Sequence, residues 1–283
     1  MPEPVLDLTG TRRLHVTNVG GAGMSAIAVL LAEMGHVVSG HDPAADTPFL
    51  AALREAGVEV ATGPTAPLGP VDAVVVSTAT PADHPQLLEA RAAGIPVLHR
   101  SAALAALCRG RRTLAVAGTH GKTTTSALLA TVLAETGQRP GYVVGAGIAG
   151  LGRSATWGEG GPLVVEGDES DGTFLALGAR AAIVTNVEAD HLEHWGGEAQ
   201  LVAAFEQFVA DLAGPAVLCL DDPGAAALVG HAVQPVTYGT TSGADYHLTD
   251  VVTEGTGVRF VLHHGDQHVA VHVPAAPGEH NAR

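Results

Sequence analysis

The sequence predicts an α/β protein of two successive units built on parallel strands, the second ending in a few antiparallel strands. Three observations carry that reading. Short apolar, partly β-branched runs alternate with apolar-faced helical stretches from Leu14 onward. A glycine-rich turn stands between a strand and a helix twice, at residues 20–23 and 118–121. From Tyr246 the chain changes to runs with alternating faces, the pattern of antiparallel strands.

Residues 14–19 read as the first strand, 20–23 as a turn and 24–34 as a helix with an apolar face. Residues 37–40 form a second strand that ends at His41-Asp42, and 49–56 a helix. A strand at 73–77, a helix at 85–93, a strand at 95–98 and a helix at 101–108 follow. Arg109-Gly110-Arg111-Arg112 is charged and contains glycine, which marks a domain boundary and divides the chain into 1–109 and 110–283. The second unit opens with a strand at 113–117, the second glycine turn and a helix at 123–135. Strands at 163–166, 181–185 and 216–220 and a helix at 198–212 come next, and 258–262 and 268–273 are the alternating runs.

Composition narrows the function. Of 283 residues, 46% are hydrophobic and only 4% aromatic, so the cores are built from Ala, Val and Leu. A formal charge of −15 argues against nucleic acid as a partner, because phosphate backbones need a basic face. No apolar run is long enough to span a membrane, and residues 1–13 lack the apolar core of a signal peptide. Cys108 and Cys219 lie far apart in apolar contexts and read as reduced, buried residues of a cytoplasmic protein.

Gly118-Thr119-His120-Gly121-Lys122-Thr123-Thr124-Thr125 follows a strand and opens a helix. Such an arrangement either holds nucleotide phosphates, with loop N–H groups and the helix N-terminus attracting the anion, a lysine bridging the outer phosphates and a hydroxyl on Mg²⁺, or is a glycine turn with an exposed lysine. The longer form of this motif would need glycine at Val116, so the match is to Gly-x-x-Gly-Lys-Thr. Lys122 is the single lysine, but arginine supplies the other 13 of 14 basic residues, so its solitude adds little. Gly21-Ala22-Gly23-Met24-Ser25-Ala26 fits the dinucleotide fingerprint, with Asp42 about 20 residues on. The pattern admits NAD, any diphosphate such as a UDP-sugar, or a tight turn kept small for packing.

Glu166-Gly167-Asp168-Glu169-Ser170-Asp171 sets four carboxylates after a strand, either as a solvated acidic loop or as oxygen ligands for Mg²⁺. Thr185-Asn186-Val187-Glu188-Ala189-Asp190-His191 follows the next strand, at the edge where open α/β sheets collect ligands. His263, His264, His268 and His272 are irregularly spaced and read as solvated.

In this order the motifs resemble the Mur ligase family. The resemblance also takes in Ser39-Gly40-His41-Asp42, Leu220-Asp221-Asp222-Pro223, Tyr238-Gly239 and Pro277-Gly278-Glu279-His280-Asn281, and covers nearly the whole chain. It implies a Rossmann-like UDP-sugar-binding domain at 1–109 and a P-loop ATPase-type domain at 110–283. The resemblance further implies a third domain, which contacts the amino acid and is expected to lie outside these 283 residues. The implied activity is that of an ATP- and Mg²⁺-dependent ligase acting on UDP-N-acetylmuramate in peptidoglycan synthesis, through an acyl phosphate. His120 and the Glu-Ser-Asp stretch favour the branch that adds L-alanine. Lys122 would neutralise the outer phosphates, among Gly118, Thr119, Gly121, Thr123 and Thr124. Thr123 and Glu166 would hold one Mg²⁺ and His191 a second. His120 and Asn186 would lie near the reacting centre, and His280 and Asn281 against adenine. Gly21, Ala22, Gly23, Met24 and Ser25 would cradle the UDP diphosphate, with Asp42 near the uridine.

Four positions depart from the family pattern: Asn18 and Ala26 where glycine is usual, Glu279 where a base is usual, and Ser154 near a usual asparagine. Asn18 and Ala26 are expected to crowd the diphosphate turn. Because the sequence stops just after His280-Asn281, it is not expected to ligate by itself. Two rival functions stay open: a UDP-sugar- and ATP-binding module without turnover, and an NAD-dependent oxidoreductase that leaves the second glycine turn without a task. The sequence gives no oligomeric state.

Overall fold

The computed structural model describes residues 6–148 and 151–274. The chain opens with β1 (Arg13–Thr17), α1 (Ala22–Glu33), β2 (Val37–Asp42), α2 (Leu50–Glu55) and β3 (Glu59–Thr62). It continues through β4 (Ala73–Val76), α3 (Pro85–Ala92), β5 (Val97–His99) and α4 (Arg100–Cys108). The five strands form a wholly parallel sheet in the order β3-β2-β1-β4-β5. The order reverses direction at β1, so the turn that follows β1 lies at the switch point of the sheet, where such folds receive ligands.

α1 is apolar on nearly every side, and Met24 through Leu31 are all buried. A helix of that kind must be covered all round, and α1 does touch β1, β2, α2 and α4. β3 was not expected from the sequence. Its Glu-Val-Ala-Thr run is mostly exposed at the sheet edge, so no apolar pattern announces it.

The remaining elements are β6 (Thr113–Ala117), α5 (Lys122–Glu135), β7 (Gly141–Val143), β8 (Ala155–Thr156), β9 (Leu163–Glu166) and β10 (Ala181–Val184). After them come α6 (Leu192–Trp195), α7 (Glu198–Ala210), β11 (Ala216–Cys219), α8 (Pro223–Ala227), β12 (Pro235–Gly239), β13 (Tyr246–Glu254), β14 (Gly257–His264) and β15 (Gln267–Val273). The chain clusters spatially into two units, Met1–Ala115 with Thr123–Ala179, and Val116–Lys122 with Arg180–Arg283.

In the first of these units, β7 pairs parallel with β9 and antiparallel with β8. The Leu163 N–H bonds the Arg112 carbonyl, so β6 starts beside β9. α5 packs Ala130 against Tyr142, Val144, Ile148 and Val164. In the second unit, β10, β11, β12 and β13 run parallel in sequence order, and β13, β14 and β15 are antiparallel neighbours. The Thr185 N–H bonds the Ala117 carbonyl, so β6 ends beside β10. The antiparallel ending matches expectation, and it extends back through β13, where the register shifts between Thr249 and Val252 and Asp250 takes φ +52°.

Cys108 and Cys219 are buried and free, as the sequence indicates. Burial pushes the Cys108 thiol up to about 11. Among the described residues no helix is long and apolar enough to cross a membrane.

Candidate functional site

The first glycine turn is built by backbone geometry. Asn18 takes φ +54°, a left-handed conformation that asparagine tolerates better than most residues. Gly20 approaches Asp42 so closely that a Cβ there would lie 2.7 Å from Asp42 Oδ2. The Gly20 N–H bonds that oxygen at 2.8 Å, and the Ala44 N–H bonds Oδ1 at 3.0 Å. Asp42 therefore holds the turn in shape. Gly21 caps α1 in extended conformation without a side-chain bond, and the first turn of α1 carries no acidic residue. No acidic side chain of its own first turn therefore offsets the positive end of that helix. Met24 and Ser25 are buried, and Ser25 Oγ bonds the Ala22 carbonyl, so these two face the helix packing. Ala26 is buried and lines a small gap with Val29, Phe49 and Ala155, so its methyl belongs to the core.

The second turn is walled by the segment after β10. Gly118 takes φ +132°, and a Cβ there would meet Thr185 Oγ1 at 2.2 Å. Only glycine fits that approach. Asn186 Oδ1 accepts from the His120 N–H at 2.8 Å, and its Nδ2 donates to the His120 carbonyl at 3.1 Å. Thr185 Oγ1 donates to the same carbonyl at 2.6 Å. Thr119 Oγ1 accepts from the Glu188 N–H at 2.9 Å. The Lys122 ammonium bonds the Gly118 and Thr119 carbonyls at 2.8 and 3.1 Å, across the inside of the loop. The His120 ring is exposed, 3.8 Å from a Glu188 carboxylate oxygen. His191 takes φ +51°, and its Nε2 lies 3.7 Å from Asp190 Oδ2. A positive φ at a non-glycine residue is backbone strain, which clusters at functional sites. Asp222 braces this wall: its Oδ1 accepts from Val187 N–H at 3.0 Å and caps α8 at Ala225 N–H, 2.7 Å away. Asp221 instead holds the turn after β12 through Thr240 and Thr241.

Thr123, in the first turn of α5, donates to Glu166 Oε1 at 2.8 Å. Glu166 Oε2 accepts from the Gly145 N–H at 2.7 Å. A Cβ at Gly145 would come within 3.1 Å of Glu166 and 3.2 Å of Thr123 Oγ1, so the glycine keeps space beside both oxygens. That hydroxyl–carboxylate pair suits a hard cation such as Mg²⁺, which takes few protein ligands and several waters. Among the described residues no group of three His, Cys, Asp or Glu is arranged to hold a metal. Thr124 is exposed on the same helical turn.

The rest of the acidic stretch does other work. Arg100 donates from Nη2 to Asp168 at 2.6 Å and from Nε to Asp171 at 2.7 Å. Glu169 is buried, 1% exposed. Burial disfavours charge on both Arg100 and Asp168, but bonds outweigh it: Asp168 and Asp171 hold Arg100 above its ordinary pKa, and Ser170, then Arg100, hold Asp168 below its own. Of the four carboxylates between 166 and 171, Glu166 is therefore the one joined to Thr123. Arg100 and Gly145 were not anticipated: an isolated arginine at a strand-to-helix junction has no motif, and Gly145 bonds through its backbone. The late histidines are solvated as expected, with His264, His268 and His272 exposed and His263 half-buried. His247, His263 and His268 stand opposite one another across three strands, and His263 Nε2 lies 2.9 Å from Thr249 Oγ1. His264 stacks on Tyr246 at 4.2 Å. The irregular spacing along the chain becomes alignment across the sheet. His280, Asn281 and Glu279 lie outside the described residues.

Two family models match: the Mur ligase family catalytic domain over residues 13–112 and the Mur ligase middle domain over residues 164–283. The chain belongs to the Mur ligase family. It is 47% identical over 279 residues to the UDP-N-acetylmuramate–L-alanine ligase of Kineococcus radiotolerans, covering 95% of this chain and 59% of that protein. It is 45% identical over 275 residues to the ligase of the same name from Xanthomonas campestris pv. campestris, covering 95% and 57%. The fold matches the crystal structure of UDP-N-acetylmuramate-alanine ligase MurC from Thermotoga maritima with a TM-score of 0.85 at 27% identity, over 96% of this chain and 62% of that one. The chain thus spans somewhat under three fifths of the length of its curated Mur ligase relatives.

Proposed function

We propose that this chain carries the UDP-sugar-binding and ATP-binding parts of a UDP-N-acetylmuramate–L-alanine ligase of the cytoplasm, with residues 1–109 as the first part and 110–283 as the second. In the whole enzyme a lactyl carboxylate oxygen attacks the γ-phosphorus of ATP, the bond to the β-phosphate oxygen breaks and ADP leaves. The alanine nitrogen then attacks the acyl carbon, and phosphate departs from the tetrahedral intermediate as the C–O bond breaks. Phosphoryl transfer of this kind rests on positioning and charge neutralisation.

The residues divide that work. Gly21, Ala22 and Gly23 offer backbone N–H groups to the UDP diphosphate, and Asp42 keeps their turn in shape. Gly118, Thr119, Gly121 and Thr124 surround the ATP phosphates, and Lys122 exchanges loop carbonyls for phosphate oxygens. Asn186 fixes the His120 backbone, which sets the loop's outer end beside the reacting carboxylate. Thr123 and Glu166 would hold Mg²⁺, with His191 at a second ion, and the metal would supply positive charge to the transferring phosphoryl group. His280 and Asn281 are assigned to adenine on the motif alone.

The observation that carries this reading is the walled loop of Gly118, Thr185, Asn186 and Lys122, together with the Thr123–Glu166 pair. The nicotinamide alternative is less well supported, since both Asp42 oxygens already hold the turn. The test is titration of the chain with ATP and Mg²⁺. Saturable binding that Lys122→Ala weakens by about tenfold or more, the loss of a charge-assisted contact, supports the reading. ATP binding unchanged by Lys122→Ala contradicts it.

A further inference from the structure

Arg100 begins α4 and also lies against the first turn of α1, where a Cβ at Gly23 would sit 3.2 Å from its Nη1. A cation beside helix N-termini is electrostatically disfavoured, because the helix dipoles are positive there. It is held by anions. Asp168 takes Nη2 and Asp171 takes Nε. Both aspartates are themselves fixed: Asp168 Oδ1 accepts from the Ser170 N–H, and Asp171 Oδ1 accepts from Thr173 N–H and Oγ1. Phe174, fully buried, anchors the chain that follows. Asp168 and Asp171 stand two and five residues after Glu166, which bonds Thr123 and Gly145. The guanidinium therefore has two nitrogens on the acidic loop and the third toward the glycine turn.

We propose that Arg100 is a positioning residue that couples the first glycine turn to the acidic loop carrying Glu166. This rests on the reading that the glycine turn holds a diphosphate. The diphosphate draws Nη1, the aspartates keep the other two nitrogens, and the loop from 166 to 171 becomes tighter when the turn is occupied. Asp168 and Asp171 thereby orient the arginine and ligate no metal. Occupancy by the UDP-sugar then favours the Glu166 geometry that the ATP step requires.

The test uses the whole chain and UDP as the probe. Calorimetry measures affinity, and amide hydrogen exchange follows residues 167–174. The unaltered chain binds UDP, and UDP slows exchange in that segment. Arg100→Ala weakens UDP by about tenfold, the size of one charge-assisted bond to phosphate, and abolishes the slowing. Asp171→Asn weakens UDP several-fold although it touches no ligand, and adds nothing on top of Arg100→Ala, the non-additivity expected of one linked unit. Arg100→Lys, which keeps the charge but loses the fork, falls between the two and serves if the alanine variant does not fold. Affinity within twofold of the parent for both Arg100 variants, or exchange at 167–174 that UDP does not change, overturns the inference alone. No binding of UDP by the unaltered chain overturns the reading of the glycine turn and the inference together.

Discussion

At the scale of the residue, the second glycine turn is defined by what touches Gly118. A methyl group there meets Thr185 Oγ1 at 2.2 Å, and φ is +132°. Gly118→Ala is expected to shift the loop off its wall, lowering ATP affinity by tenfold or more and stability by about 1–3 kcal/mol. Calorimetry and a denaturant melt read both. Asn186→Asp is a finer test. The amide donates to the His120 carbonyl at 3.1 Å and accepts from its N–H at 2.8 Å. A carboxylate keeps the acceptor but puts a second acceptor against the carbonyl, so ATP affinity should fall by about tenfold with the melting temperature nearly unchanged. An unaltered affinity would remove Asn186 from the loop's function. The loop's glycines and lysine were legible in the sequence because their spacing is itself the signal. Arg100 was not, because its significance comes from Asp168 and Asp171, about 70 residues away in the chain.

At the scale of the element, α1 joins the first glycine turn to the rest of its unit. Its C-terminal Glu33 accepts from the Trp157 N–H at 2.6 Å, from Thr156 Oγ1 at 3.0 Å and from Arg153 at 3.0 Å. Glu33→Ala leaves the Trp157 N–H without that acceptor and should cost about 2 kcal/mol, measured as a lower denaturation midpoint with an unchanged m-value. The neighbouring strand pair β1–β2 contains His15, opposite Ser39 and 2.9 Å from its hydroxyl. Burial, reinforced by His41 and His84 and opposed by Gln86 and Glu89, pulls the His15 pKa down to about 4. Its folded form stays neutral where the unfolded chain is protonated. Stability from this residue is complete above about pH 6.5 and declines as pH falls toward 4, by about 3 kcal/mol in total. Stability curves at pH 7 and pH 4.5 for the parent and His15→Gln check this, and an equal slope in both would refute it. Parallel strands with apolar runs were readable from sequence. β3 was not, since its exposed edge residues carry no apolar period, and the short β7 and β8 give too few residues for a pattern.

At the scale of the molecule, the strand order β3-β2-β1-β4-β5 sets the first glycine turn at the sheet's switch point. The second turn follows β6 in the same way and leads into α5. Two glycine turns in one chain, each opening a helix that has no acid in its first turn, is the feature that a single-nucleotide oxidoreductase leaves unexplained. On the function proposed above, each turn has a separate ligand to hold. On this reading the first turn takes a UDP-sugar. Calorimetric titration of the chain with UDP-N-acetylmuramate and, separately, with NADH tests it most directly. Saturable binding of the UDP-sugar at one site per chain, with no binding of NADH, is the expected result. Binding of NADH without UDP-N-acetylmuramate would contradict it.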